Sequence, residues 1–285
     1  MNPIFDLIRM SNLFDPLESA GKKQLTIFIG YDPREDICAK ILAHTIRSHS
    51  SVISYNIIPL VYSQLFAYGY TNRELDKRGS TEFTMTRFLA APIVNMAPFT
   101  GASLALFLDC DMMFTRSVDD LILGADLSKP VSVCKHDYVP AEALKMQISD
   151  YGSYNGVNGS RQEVYPKKNW SSVTLWNCNH EEVSNRTLDW ANDNTPSHLH
   201  RFESFNEEDI GSLDRKWNYL VGEGMDREEY YGLKKDELPY NIHHTLGSPV
   251  FRLYQDSEYS GLWKENFKDL MKRPFDELRD TLRNK

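Results

Sequence analysis

The stretch Leu104–Phe114, LALFLDCDMMF, decides how the rest of the chain is read. Five apolar residues run straight into Asp109 and Asp111. Carboxylates inside an apolar segment cost free energy unless a partner offsets them. Residues two apart on a strand point to one side, so the spacing predicts that Asp109 and Asp111 converge while Cys110 turns away. Two convergent carboxylates repel each other, and a divalent cation, which prefers oxygen ligands, relieves that repulsion. Such a cation keeps open positions that suit a substrate diphosphate. A bare D-x-D also has a plainer reading, with one Asp capping the next turn and the other solvated. Its place directly after LALFL favours the metal.

Working outward, LTIFIG (25–30) reads as a buried strand and DPREDICAKILAHTIRSHS as a helix with an apolar stripe and an acidic start. SVISYNIIPL is a strand, TEFTMTRFLAAPIVNMA a helix, SLALFLD the third strand and VSVC (131–134) the fourth. Strands alternating with helices predict an α/β fold with a Rossmann-like, mostly parallel sheet. Ligands of such sheets bind beyond the carboxyl ends of the strands, where Asp109 and Asp111 fall. Residues 136–169, with YGSYNGVNGS, are expected to form a long functional loop. SSVTLWNC is a strand, HEEVSNRTLDWAND a helix, NEEDIGSLDRKWN the start of another, and YNIHHTLG a short strand. The tail has helical spacing and is expected to break at Pro274. The expected organisation is an appendage (1–24), a catalytic domain (25–256) and a helical tail packed on it (257–285).

Bulk properties narrow the classes. The chain has 285 residues, 41% of them hydrophobic, enough for one large domain. A net charge of -8 argues against a nucleic-acid binder. Four widely spaced cysteines without a CxxC pair predict reduced thiols rather than disulfides or a zinc site. No apolar run suits a bilayer span, and MNPIFDLIRMSNLF lacks a signal-peptide core, so the expected location is cytoplasmic. The sequons at Asn169 and Asn185 are then not glycosylated. Acids nearly balance bases in the C-terminal tail, which favours a docked helix over peripheral membrane contact.

Five places resemble the GT-A fold glycosyltransferases of family 8, the glycogenin and bacterial galactosyltransferase group. IFIGYD is similar to the family's opening strand, whose end meets the nucleotide base, at Tyr31 and Asp32. TEFTMTRFLAAPIV resembles the T-x-x-R helix, whose Arg, here Arg87, sits near the sugar and diphosphate. FLDCDMMF is similar to the D-x-D strand, NWSSVTLWN to the NSGVMLMN strand, and IHHTLG to the H-F-x-G motif. By spacing to Gly247 the metal-binding His of that motif is His244, with His243 as the alternative. Three departures mark a divergent member: Val250 stands for the phosphate-binding Lys, with Arg252 as a substitute; the D-Q-D motif is Glu207, Glu208 and Asp209; and Trp170 replaces an Asn beside the donor sugar.

The resemblance implies a UDP-sugar donor, Mn²⁺ or Mg²⁺ on Asp109, Asp111 and His244, and transfer with retention to a glycan, lipid-linked or protein acceptor. Glu208 or Asp209 is the candidate carboxylate below the sugar. Three alternatives are weighed beside it. A non-catalytic module binding a nucleotide sugar or glycan is left room by Val250 and the altered acidic run. A haloacid-dehalogenase phosphatase would want Thr or Val where Met113 stands. A sugar-phosphate nucleotidyltransferase would want a Gly-rich basic loop where GYDPRED stands.

Overall fold

A computed structural model describes residues 24–75, 81–96, 102–140, 144–145, 160–161 and 165–283. The expected appendage, apart from Gln24, and most of the expected 136–169 loop lie outside these residues. The first half forms β1 (Leu25–Gly30), α1 (Asp36–Ser48), β2 (Tyr55–Leu60), α2 (Tyr62–Ala67), α3 (Ala90–Met96) and β3 (Leu104–Leu108). Then come β4 (Met112–Phe114), α4 (Val118–Leu123), β5 (Val131–Val133), a ribbon of β6 (Leu144–Lys145) and β7 (Ser160–Arg161), and β8 (Val173–Asn177). The remainder is α5 (Glu181–Ser184), α6 (Leu188–Asp193), α7 (Pro196–His200), β9 (Ile210–Ser212), β10 (Tyr219–Leu220), β11 (Asn241–His243) and α8 (Ser260–Arg283).

The main sheet has the order β2-β1-β3-β8-β5-β9. β1 pairs in parallel with β2 and β3, β5 with β9, and only β8 runs antiparallel to its neighbours. Every residue of β1 and β3 is buried, as strands covered on both faces require. Phe28, Phe88, Phe107 and Trp176 are among the largest side chains in this core.

One correction concerns Asp109 and Asp111 themselves. β3 stops at Leu108, and residues 109–111 form a turn from which β4 departs into a second sheet of order β10-β11-β4. The aspartates therefore converge through a turn between two sheets rather than through strand alternation. In the second sheet Met112 is in register with His243, and that pairing brings the histidine strand to the aspartates.

Other local expectations change as well. The helix read over 81–97 is a 3-10 turn, Thr86–Leu89, followed by α3. The helix read over 180–193 is two, with Asn185 to Thr187 between them. NEEDIGSLDRKWN is a 3-10 turn, strand β9 and a second 3-10 turn. Gly211 of β9 lies against the Ser132 side chain of β5, close enough that a Cβ there would push it aside. α8 runs on through Pro274, since proline removes one helical hydrogen bond and need not end a helix. α8 packs on the domain: Trp263 joins Cys38, Ile41, Met113 and Ile242 in a second core cluster, and His44 Nε2 lies 3.0 Å from Asp269. All four cysteines are buried and free. Among the described residues no helix is long and apolar enough to cross a membrane.

Candidate donor and metal site

Asp109, Asp111 and His243 each offer a ligand atom, all within 4.8 Å of one another. His243 Nε2 stands 3.1 Å from Asp111 Oδ1 and 3.9 Å from Asp109 Oδ2. Its other ring nitrogen is held by Asn218. Asn218 Nδ2 donates to the Asn169 carbonyl at 3.1 Å, which turns Asn218 Oδ1 toward His243 Nδ1 at 2.7 Å. Nδ1 faces that oxygen as a donor, and Nε2 faces the two carboxylates. A cation held between them would neutralise the two carboxylates, with Nε2 as a further ligand. Divalent ions of Mg²⁺ size bind oxygen octahedrally at about 2.1 Å, so adjacent ligand atoms stand roughly 3 Å apart, and the donor set fits. Asn218 also orients the imidazole in the way that outer partners orient metal ligands.

His244, the residue selected by spacing to Gly247, sits beside Asp111: its amide donates to the Asp111 carbonyl at 2.9 Å. Its ring is buried, neither nitrogen has a hydrogen-bond partner, and burial pushes its pKa down to about 4 against the pull of Asp111. The structure thus draws His243 into the carboxylate cluster and holds His244 as a neutral imidazole next to it. Gly247 is glycine for a local reason: its φ is positive and the Tyr254 ring lies where a Cβ would go.

Arg87 reaches the same cluster from the 3-10 turn before α3. Its Nη1 lies 3.1 Å from Asp109 Oδ1 and donates to the carbonyl and hydroxyl of Ser171 at 3.1 and 3.2 Å. Its guanidinium packs on the Phe83 and Phe107 rings, 5.3 and 5.2 Å from their centroids. Two further residues escaped the sequence reading. His200 hydrogen-bonds Ser171 Oγ through Nδ1 at 3.1 Å. Burial, then Arg87 and Lys168, push its pKa down to about 3, so it is neutral at pH 7. Nothing in HLHR marked it. Glu35 is fully buried between Cys110 Sγ (3.6 Å) and Ser248 Oγ (3.3 Å). Burial, then Asp111 and Asp32, raise its pKa well above the usual range. In the sequence it looked like one more acid opening a helix. Cys110 does turn away from the aspartates, toward Glu35.

The other expected site residues are placed as follows. Tyr31 donates its hydroxyl to Asp36 at 3.1 Å. Asp32 is fully buried and accepts from the Arg34 guanidinium (2.9 and 2.7 Å) and from the amides of Arg34 and Glu82. Its carboxylate therefore shapes the loop after β1. Trp170 is buried and donates to the His136 carbonyl at 2.7 Å. Arg252 is exposed on a 3-10 turn after Val250. Glu207, Glu208 and Asp209 occupy the turn before β9, tied to the segment before β8 by the Lys167–Glu207 ion pair at 2.7 Å.

Solved structures share this architecture. The apo structure of the bifunctional glycosyltransferase WbbM matches 91% of this chain with a TM-score of 0.52 at 13% identity. The apo glycosyltransferase GlyE of Streptococcus pneumoniae TIGR4 matches 90% with a TM-score of 0.51 at 14% identity. The chain spans 53% of the length of WbbM and 64% of that of GlyE. The fold is the GT-A glycosyltransferase fold, in a divergent form.

No family model matches the sequence. The chain is 35% identical over 256 residues to Protein CDI of Arabidopsis thaliana, covering 89% of this chain and 90% of that protein. It belongs to the family of Protein CDI.

Proposed function

We propose that the chain is a metal-dependent glycosyltransferase that moves a sugar from a nucleotide-diphosphate donor, a UDP-sugar, to an acceptor hydroxyl with retention. The observation that carries this reading is the convergence of Asp109, Asp111 and His243 Nε2, whose ligand atoms all lie within 4.8 Å of one another. Mn²⁺ or Mg²⁺ held there, with His244 alongside, neutralises charge on a leaving diphosphate; the mixed oxygen and imidazole set suits Mn²⁺ well.

The chain's own residues do the rest. The Tyr31–Asp32 loop at the end of β1 borders the base. Arg87, held in place by Ser171 and two aromatic faces, adds positive charge where the leaving group departs. The turn carrying Gly247 and Arg252 closes over the phosphates. Trp170 supports the sugar-side wall from behind. In a front-face substitution the acceptor oxygen bonds to the anomeric carbon as the phosphate oxygen leaves on the same face. The acceptor proton passes to that departing oxygen. Glu208 and Asp209 are the carboxylates offered to the sugar or acceptor.

The test is release of UDP from UDP-sugars with and without Mn²⁺. Metal-stimulated release that chelator abolishes is expected. Turnover unaffected by chelator would sink the metal assignment. Binding without any UDP release would instead favour a sugar-binding module.

A further inference from the structure

His200 is the last residue of α7, and its ring reaches the segment that carries Arg87. Just beyond it Phe202 takes a left-handed backbone, with φ +53°. A bulky residue keeps that conformation only where its surroundings impose it. Here the Phe202 ring packs on Phe88 and Trp176, with centroids 6.5 and 6.1 Å away. The end of α7 is thereby fixed. The His200 ring meets Phe88 edge-on at 4.9 Å and Tyr165 at 6.0 Å.

Both ring nitrogens are engaged. Nδ1 stands 3.1 Å from Ser171 Oγ. The ring also bonds the Thr84 backbone, and that bond favours the protonated ring, as one donated to a carbonyl does. Since Nδ1 faces Ser171, the donor to Thr84 is Nε2, and in the neutral ring Nδ1 is an acceptor. Ser171 Oγ receives a hydrogen bond from Arg87 Nη1 at 3.2 Å, and a guanidinium can only donate. The hydroxyl proton is then free to go to His200. The bonds run in one direction, from Arg87 to Ser171 to His200 to Thr84, and Thr84 lies a few residues before Arg87 in the same segment.

The direction matters because few polar groups hold Arg87. Among the described residues its Nε has no hydrogen-bond partner. Nη1 carries the hold, through the carbonyl and hydroxyl of Ser171 and through Asp109. In the proposed reaction Asp109 serves the cation, which leaves Ser171, only 3% exposed, as the standing polar anchor. A hydroxyl proton turned toward Arg87 would set donor against donor there.

We infer that His200 is a positioning residue: it draws the Ser171 hydroxyl proton away from Arg87, so that the guanidinium stays aimed at the carboxylate cluster. Its consequence for turnover rests on the glycosyltransferase reading; the hydrogen bonds themselves do not.

NMR and kinetics on the full chain test the assignment. In ¹⁵N spectra at pH 7 the His200 ring is expected to be neutral with its proton on Nε2. A charged ring, or a proton on Nδ1, overturns the inference. The tautomer needs no variant, so it decides even if a substitution fails to fold. His200→Phe keeps a ring beside Phe88 and Tyr165 but offers no acceptor. Its kcat in Mn²⁺-stimulated UDP release is expected to fall about tenfold, with KM for the UDP-sugar within about threefold. His200→Asn, whose side-chain oxygen can stand in for Nδ1, is expected to recover most of the loss. In a Ser171→Ala background His200→Phe is expected to cost less than about twofold more.

An unchanged kcat in His200→Phe overturns the inference. So do losses that multiply in the double variant, which would make His200 a packing residue independent of Ser171. The ¹⁵N lines of the Arg87 guanidinium separate this inference from the donor reading. Distinct Nη1 and Nη2 lines that merge in His200→Phe uphold the hold even if the parent releases no UDP, and then only the glycosyltransferase reading falls. Lines that the substitution leaves unchanged overturn the inference, whatever UDP release shows.

Discussion

Asp109 and Asp111 leave the end of β3; Glu207, Glu208 and Asp209 lead into β9, at the edge of the same sheet. Both are short acidic runs beside an apolar strand. The first pair is nearly buried, with side chains 11% and 12% exposed, and faces His243 and Arg87. The second run stands on an exposed turn whose carbonyls accept from Lys129 and Lys135. A carboxylate in water is cheap and does little by itself. A carboxylate held out of water must be compensated, and that compensation is where ion binding and charge stabilisation arise.

The contrast can be broken by substitution, beginning with the largest effect. Asp111→Asn should cut Mn²⁺-stimulated UDP release by about 10²-fold or more, with the melting temperature reported alongside. Full activity would place the reaction elsewhere. Asn218→Ala leaves both carboxylates but frees His243; titration with Mn²⁺ should show about 10- to 100-fold weaker binding. An unchanged affinity would mean that the imidazole is not a ligand.

Glu208→Gln and Asp209→Asn sharpen the other side of the comparison. Urea denaturation should show a change within about 0.5 kcal/mol at exposed Glu208 and within about 1 kcal/mol at half-buried Asp209, which accepts from Asn206. A loss in transfer rate of about tenfold at either would then belong to the reaction and not to folding.

The last effect concerns pH. Burial, then Arg215 and His243, push the pKa of His136 from 6.5 down to about 3. The unfolded chain takes up this proton near 6.5 and the folded one does not, so the stability is present above pH 6.5 and falls as pH drops toward 3. One such group contributes at most about 1.4 kcal/mol per pH unit. His136→Gln should flatten the stability curve between pH 6.5 and 4 by up to that slope. An identical slope would show that His136 is solvated.

How much of this was legible varies by residue. LTIFIG and LALFL announce covered strands because nearly every residue in them is apolar and none is charged. D-x-D announces itself because charge rarely follows such a run. Arg87 was reachable through its motif. His200, Glu35 and Lys168 were not, since their local sequences look like ordinary helix or loop surface and their burial depends on segments far along the chain. The short helices and 3-10 turns of the second half were also poorly read, because tertiary contacts there outweigh periodicity.

Taken by itself, the sequence determined the α/β layout, the strand that ends in two aspartates, and the class of chemistry those aspartates invite. These follow from hydrophobic patterning and from the cost of burying charge, both of which are local. Only the tertiary structure decided that His243 joins the carboxylates while His244 stands beside them. That choice depends on the register of Met112 with His243 across 131 residues of chain, and a slip of one residue in a strand exchanges the side chains between faces. Spacing to a glycine carries no information about that register.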